Sequence, residues 1–451
     1  MQNTVCQQRF PMHNGGISYM EGSIMKKLLA LFLIVILTVS LAGACCAQEK
    51  IKLVGMCWGA TAHYDELIEN VMATNPELAE KYEVSWVLGG QGAFEVAEKM
   101  RLGLSANENV CDFAVLNYTQ IPEFARNGAL CDISGAFAPY ADKLTDAAIK
   151  LSQYDGQTIA VPFEVKTKVW FYRSDIFEEC GINVEEITDT DSFIAAGKKI
   201  QEKYPNSHMW NLGSAPSEYQ YFLTLSGNGA SFFDADGNYN IASDPGTRLM
   251  LEDYKKMVDA GIIANVSDWT PDWEAALADG TVISQPCAGW LGQEIFLPTY
   301  SGEGNEWKVT TWPAIGGTDC GSDAGGSVMV VPAFSSNADA AAELISAICL
   351  SEEGSKCVFA QNGSLPQNKD AMADESLFAD QATGYFGDTF VAAQAAAADK
   401  FGIFNYSPNA SAEAGIVVEY FTQAVYGQMT IDEALSAAQN DLENMVGNAF
   451  N

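Results

Sequence analysis

From residue 51 the chain alternates between apolar strand-like runs and amphipathic helical stretches, and this rhythm limits the folds open to it. Residues 51–58 read as a buried strand ending in a turn. A helical stretch follows over 64–73, with Leu67, Ile68, Val71 and Met72 on one face. A strand over 82–88, a helix over 93–104 and a strand over 112–116 come next. Strand and helix in this alternation predict an α/β fold whose parallel sheet has right-handed crossovers. Ligands of such sheets sit beyond the carboxyl ends of the strands, so the turns after Cys57 and Leu116 are the places to watch.

With 451 residues the chain has room for two or three domains and an ample core. Its 24 Lys and Arg against 58 Asp and Glu give a net charge of −34, which argues against nucleic acid as a partner, because phosphates must be met by clustered cations. Only three His occur, and neither HExxH nor CxxC is present. A histidine-based catalytic apparatus, a zinc site and a cofactor are therefore not expected.

The N-terminal segment reads as an address. Lys26 and Lys27 precede the run from Leu28 to Ala42, apolar except for Thr38 and Ser40, and small residues follow. This is the pattern of an export signal over 25–47, with 1–24 an upstream extension. Leu41-Ala42-Gly43 close to Cys45 resembles a bacterial lipobox, so Cys45 is a candidate for lipid modification; ordinary cleavage after Ala44 or Ala47 would instead release a soluble protein. Beyond Cys45 the acidity rises, because Arg9, Lys26 and Lys27 are left behind with only Glu21. Eight of the 11 Cys follow residue 47. Cys349 and Cys357 are expected on one helical stretch, too far apart for a disulfide, and mostly free thiols are expected, which implies an anoxic habitat.

Past residue 155 the pattern changes. A long extended run over 158–172 is interrupted by Pro162. Helical segments are expected over 191–203, 215–226, 247–260 and 270–279, with a tight turn over 234–238. A strand over 328–331, an Ala-rich helix over 338–350 and helical pieces over 388–448 complete the chain.

The order of several motifs resembles the family 1 extracellular solute-binding proteins. The matches are Asp112-Phe113-Ala114-Val115-Leu116-Asn117-Tyr118; the stretch 124–133; Gly156 to Phe163 leading into the stretch 169–182; Asp279-Gly280 with Ala288-Gly289-Trp290; Gly325-Gly326-Ser327; and Asn362-Gly363-Ser364-Leu365-Pro366. The resemblance implies a two-lobed periplasmic-binding-protein type II fold, similar to the maltose-binding protein, with a hinge and an interlobe ligand cleft. It implies one lobe from 48–164 and 327–375 and another from 165–326 and 376–451. It also implies a monomeric, non-enzymatic receptor for a carbohydrate, partnered by the permease subunits of an ABC importer. The receptor would be held at the outer face of the membrane by a lipid anchor, or be periplasmic or extracellular.

A sugar offers hydroxyl rims and apolar C–H faces, so its site needs aromatic platforms and hydrogen-bonding groups. Trp58 in the turn after the first strand is a candidate platform. Asn117 and Tyr118 fall in the turn that the family uses for ligand contact. Lys166 stands where the maltose-binding pattern has a carboxylate; it meets either the ligand or Glu164. Glu164, Lys166, Lys168 and Trp170 alternate and are expected on one strand face. Tyr219 and Trp290 match stacking positions of the second lobe, and Gly326 is expected to offer a backbone N–H or a hinge. Trp269 and Trp273, which flank Pro271, either line the cleft or pin a helix start, and core packing is expected of them. Two competing functions are a receptor for a cationic or metal-chelate solute, drawn in by the negative charge, and a secreted glycosidase working through paired carboxylates.

Overall fold

The first six strand residues that follow Ile51 are almost all apolar, and they form the centre of a sheet rather than an edge. The computed structural model describes residues 49–450 apart from 215–217, 301–305, 318–320, 379–383 and 388. The export segment and Cys45 lie outside the described residues. Ile51–Asn451 form one compact unit.

The strands that organise it are β1 (Ile51–Trp58), β2 (Tyr82–Gly90), β3 (Phe113–Asn117), β4 (Ala160–Glu164), β5 (Val169–Arg173), β6 (Ser284–Cys287), β7 (Trp307–Thr310) and β8 (Ser327–Val330). The helices that matter for the site are α1 (Ala62–Thr74), α2 (Ala93–Ala106), α3 (Glu218–Asn228), α4 (Pro271–Asp279), α5 (Ala338–Leu350), α6 (Glu352–Asn362), α7 (Thr389–Ala398) and α8 (Ala410–Val425).

Five strands form one sheet in the order β2-β1-β3-β8-β4. β1 pairs in parallel with β2 and β3, as the alternation of strand and helix requires, whereas β8 runs antiparallel to both β3 and β4. A core closes over this sheet around Leu53, Phe113, Val115, Val161, Val330 and Ile345. A second sheet, β6-β5-β7, is antiparallel. Every residue of β5 is buried, and the strand's period of two divides it between two cores. Trp170 and Tyr172 join a cluster with Trp210, Tyr254 and Trp312, while Val169 and Phe171 face Trp273, Trp307 and Phe390.

Two segments, 164–169 and 322–327, carry the chain between the two sheets, and a third stretch, 401–404, lies beside them. Thr167 bridges Asp323, and Ser322 bridges Gly402. Their backbone bonds include Lys168 N to Ser322 O at 3.0 Å, Ala324 N to Lys166 O at 2.9 Å, and Asp323 N to Gly402 O at 2.8 Å. Phe401 packs into the first core and Phe404 into the second, while α7 before them and α8 after them both pack in the second lobe, so this stretch touches both cores. Two cores joined by a narrow bundle of crossing backbone form a two-lobed binding fold with a hinge.

The extended run over 158–172 is not one strand. β4 ends at Glu164 in the first sheet and β5 starts at Val169 in the second, so Glu164, Lys166, Lys168 and Trp170 do not share a face. Lys168 is 1% exposed and donates to Leu223 O at 3.0 Å, and Trp170 is core. Cys349 and Cys357 also fall on two helices, α5 and α6, because Ser351 caps the second by accepting from Gly354 N. All seven described cysteines that follow β1's start are free thiols. The 234–238 turn forms as expected, with Asp234 Oδ1 accepting from the Asp236 and Asn238 N–H groups.

Candidate functional site

β3 ends at Asn117, and the chain turns at once into a short 3-10 helix, Tyr118–Gln120. This turn forms one wall of a cavity of about 140 Å³. Tyr219, Phe222 and Leu223 from α3 form the opposite wall, with Tyr406 and the first turn of α8 beside them. Asp323, Gly325 and Gly326 from the crossing backbone make the floor. The cavity therefore draws on the first sheet, on the second lobe and on the hinge together.

Gly326 is there because nothing larger fits. A Cβ at this position would lie 2.4 Å from Tyr118 Cε2 and 2.6 Å from Glu164 O. Its N–H donates to Asp323 Oδ1 at 3.0 Å, so the group is engaged within the turn. Asp323 itself is 6% exposed. Burial pushes its carboxyl up to about 6, against the opposing pull of the Gly326 N–H, Lys166 and the Gly325 N–H. Burial likewise raises the Tyr118 and Tyr219 hydroxyls well above their ordinary range. Tyr219 Oη meets Cys287 Sγ at 3.0 Å, which holds its ring against the second lobe.

Lys166 sits in the crossing segment and pairs with Glu164 at 2.8 Å. That carboxylate also accepts from Ser327 Oγ at 2.7 Å and from the Asn362 amide. The Lys166 ammonium lies 5.9 Å from the centre of the Trp290 ring. Trp290 is half-buried against Leu223, Ala288 and Ala324, with Tyr219 packed on the same three residues.

Trp269 departs from the expectation of core packing. It is 45% exposed and holds a left-handed φ of +60°, a rare backbone for a bulky residue. Its ring lies 5.4 Å from both Trp290 and Tyr219 and 4.9 Å from Trp273. Trp273 is buried, as expected, and supports it from behind. Tyr219 and Trp269 meet edge to face and Trp290 lies tilted to Trp269, so the three form one aromatic wall beside the cavity, of which Tyr219 lines it. Strained positions persist where the surroundings over-determine them, and they collect at ligand sites.

Of the residues singled out from sequence, Asn117, Tyr118, Tyr219 and Gly326 line the cavity. Lys166 and Trp290 adjoin it through Glu164 and Tyr219. Trp58 ends β1, half-buried against the first core, and is not among the residues that line the cavity. Sequence reasoning missed Asp323, Glu218 and Tyr406; an Asp two residues before a Gly-Gly pair is too common a pattern to mark. Among the described residues, no group of three His, Cys, Asp or Glu is placed to hold a metal ion.

The family model for bacterial extracellular solute-binding proteins matches residues 77–384, well over half of the chain. The chain belongs to the bacterial extracellular solute-binding protein family. As a member, this solute-binding protein is exported. It is 22% identical to an arabinooligosaccharide-binding protein of Halalkalibacterium halodurans, over 85% of this chain and 87% of that one. It is 24% identical to a lactose-binding protein of Rhizobium radiobacter, over 56% and 60%. Among solved structures it resembles the sugar-binding protein MalE of Xanthomonas citri, with a TM-score of 0.75 and 19% identity over 88% of this chain and 97% of that one. It also resembles the galacto-N-biose/lacto-N-biose I-binding protein of Bifidobacterium longum, with a TM-score of 0.73 and 20% identity over 89% and 99%. The solute-binding protein thus has the fold of two-lobed sugar-binding proteins, with its cavity between the lobes.

Proposed function

We propose that this solute-binding protein is the receptor of an ABC importer and binds a carbohydrate in the cavity between its lobes. The observation that carries this reading is a cavity that sets Tyr219 and Tyr406 beside hydrogen-bonding groups, with Trp269 and Trp290 packed next to Tyr219. Flat rings meet the C–H faces of a sugar, and Asn117, Thr119, Ser411 and Asp323 meet its hydroxyls. The sugar-binding relatives and structural neighbours support the same class of ligand. Lys166 is not a free ligand contact in this reading: it neutralises Glu164, and the pair fixes the approach of β4 to β8. Trp58 stands at the same carboxyl end of the first lobe's sheet as Asn117, available to a longer ligand.

The lobes divide at the crossing segments, with 48–164 and 327–375 in one and 165–326 and 376–451 in the other. The protein acts as a monomer at the outer face of the membrane, anchored through Cys45, and delivers its sugar to permease subunits without chemical change. Calorimetry of the purified protein against a panel of mono- and oligosaccharides tests this, with product analysis on the same mixtures. Saturable binding with the sugar recovered intact supports the receptor; cleaved product would turn the reading to a glycosidase.

A further inference from the structure

The charges around the cavity are one-sided. Glu218 and Asp323 both line it, and no Lys, Arg or His does so among the described residues. The nearest cation, Lys166, is committed to Glu164 at 2.8 Å. Both lining carboxylates lie near Tyr406, whose hydroxyl is raised by burial and then by Asp323 and Glu218. An ionised carboxylate only accepts hydrogen bonds, whereas a sugar hydroxyl both donates and accepts. The group that matches two acceptors is a donor with no acceptor, an ammonium. The aromatic wall suits the same group, because a cation within about 6 Å of a ring face is attracted to it. The Lys166 ammonium over the Trp290 ring is an example within this protein.

We propose that the carbohydrate taken by this cavity is a basic one, an amino sugar with a free protonated amine, lodged between Asp323 and Glu218 with its ring against Tyr219 and Tyr406. This rests on the carbohydrate reading above and narrows it. An acidic sugar would bring a third negative charge against two that are already there. A neutral sugar would leave Asp323 with only the Gly326 N–H, Lys166 and the Gly325 N–H to oppose its burial, a desolvation cost that the amine offsets further. The charged and titratable groups facing Asp323 are Lys166 on the neighbouring crossing segment, Tyr118, Tyr219, Tyr406, Glu218 and the Glu164 carboxylate behind Lys166. With Lys166 held by Glu164, ionised Asp323 is free to pair with the ligand. Amine binding then weakens as pH falls from 7 to 5 and Asp323 takes up a proton, and neutral-sugar binding does not.

The experiment is calorimetry of the full exported chain at pH 7 and pH 5 against paired sugars: glucose and glucosamine, galactose and galactosamine, cellobiose and chitobiose. The expected result is that in the pair that binds, the amino member is favoured by about tenfold or more at pH 7, and that the advantage shrinks at pH 5. Asp323→Asn should reduce that advantage to about twofold or less, and Glu218→Gln, on the exposed rim and without the same demand on folding, should reduce it in part. Equal or tighter binding of the neutral member overturns the inference and leaves the carbohydrate reading intact. An amine preference unmoved in both variants also overturns it. Binding of no sugar of either kind would overturn the carbohydrate reading, and this inference with it.

Discussion

Lys166 Nζ lies 2.8 Å from Glu164 Oε2, with both side chains almost withdrawn from solvent. The contact spans the point where the chain leaves the first sheet. Its two partners of opposite charge are therefore a structural device at the mouth of the hinge. Removing one partner of a buried pair leaves the other uncompensated, at a typical cost of 3–5 kcal/mol. Here Ser327 and Asn362 still hold the carboxylate. Lys166→Met is expected to destabilise the protein by about 2–4 kcal/mol in denaturant unfolding, with a smaller change in sugar affinity. A folded mutant of wild-type stability would mean that the pair contributes nothing to the fold.

Trp269 offers the most exposed face of the aromatic wall. Trp269→Ala is expected to weaken sugar binding by about 1–3 kcal/mol, the usual loss for an aromatic anchor. Trp290→Ala should lower affinity and stability together, because its ring also packs on Leu223, Ala288 and Ala324. Titration calorimetry beside thermal unfolding separates the two outcomes.

Asp323 carries a folded-state carboxyl raised to about 6, above the ordinary value of 3.8. A raised acid means that the folded chain binds more protons than the unfolded one between those values. Its contribution to stability is thus most favourable below about pH 4 and is lost as pH rises through 6. About two pH units correspond to roughly 3 kcal/mol of destabilisation at neutral pH. Asp323→Asn, which can still accept from the Gly326 N–H, is expected to be more stable than wild type at pH 7 and nearly equal at pH 4. Unfolding of both proteins at the two pH values measures this difference, and equal stability at pH 7 would remove it. A residue that costs stability and lines the cavity is where function is expected to outweigh folding.

Gly326→Ala places a methyl within 2.4 Å of Tyr118 and 2.6 Å of the Glu164 carbonyl. Overpacking of this kind typically costs 1–3 kcal/mol. The mutant should unfold earlier by about that amount and bind sugar more weakly, because Tyr118 must shift out of the cavity wall.

The first sheet was legible because β1, β2 and β3 are short apolar runs separated by helices with one apolar face. The break between β4 and β5 was not, since residues 158–172 read as one extended run in which Glu164, Lys166 and Lys168 alternate with other residues. Their division is set by distant partners: Ser327 pairs with Glu164 in one sheet, and Cys287 pairs with Val169 in the other. Tyr118 and Tyr219 were legible through the order of motifs that surround them. Trp269 was not, because its exposure and positive φ are settled by Tyr219, Trp273 and Trp290, none of which the local sequence announces. Asp323 stayed hidden for a related reason. Its burial is made by Tyr118, Tyr219 and Tyr406, three residues far from it and from one another along the chain.

A sugar held between two lobes on a hinge of crossing segments should favour the closed arrangement of those lobes, because the ligand touches both walls only when they approach. Small-angle scattering from the purified protein, with and without a sugar that calorimetry shows to saturate it, measures this directly. The predicted result is a smaller radius of gyration in the bound protein, and no such change in Trp269→Ala at the same sugar concentration. An unchanged radius at full saturation would place the sugar outside the interlobe cavity and contradict the account.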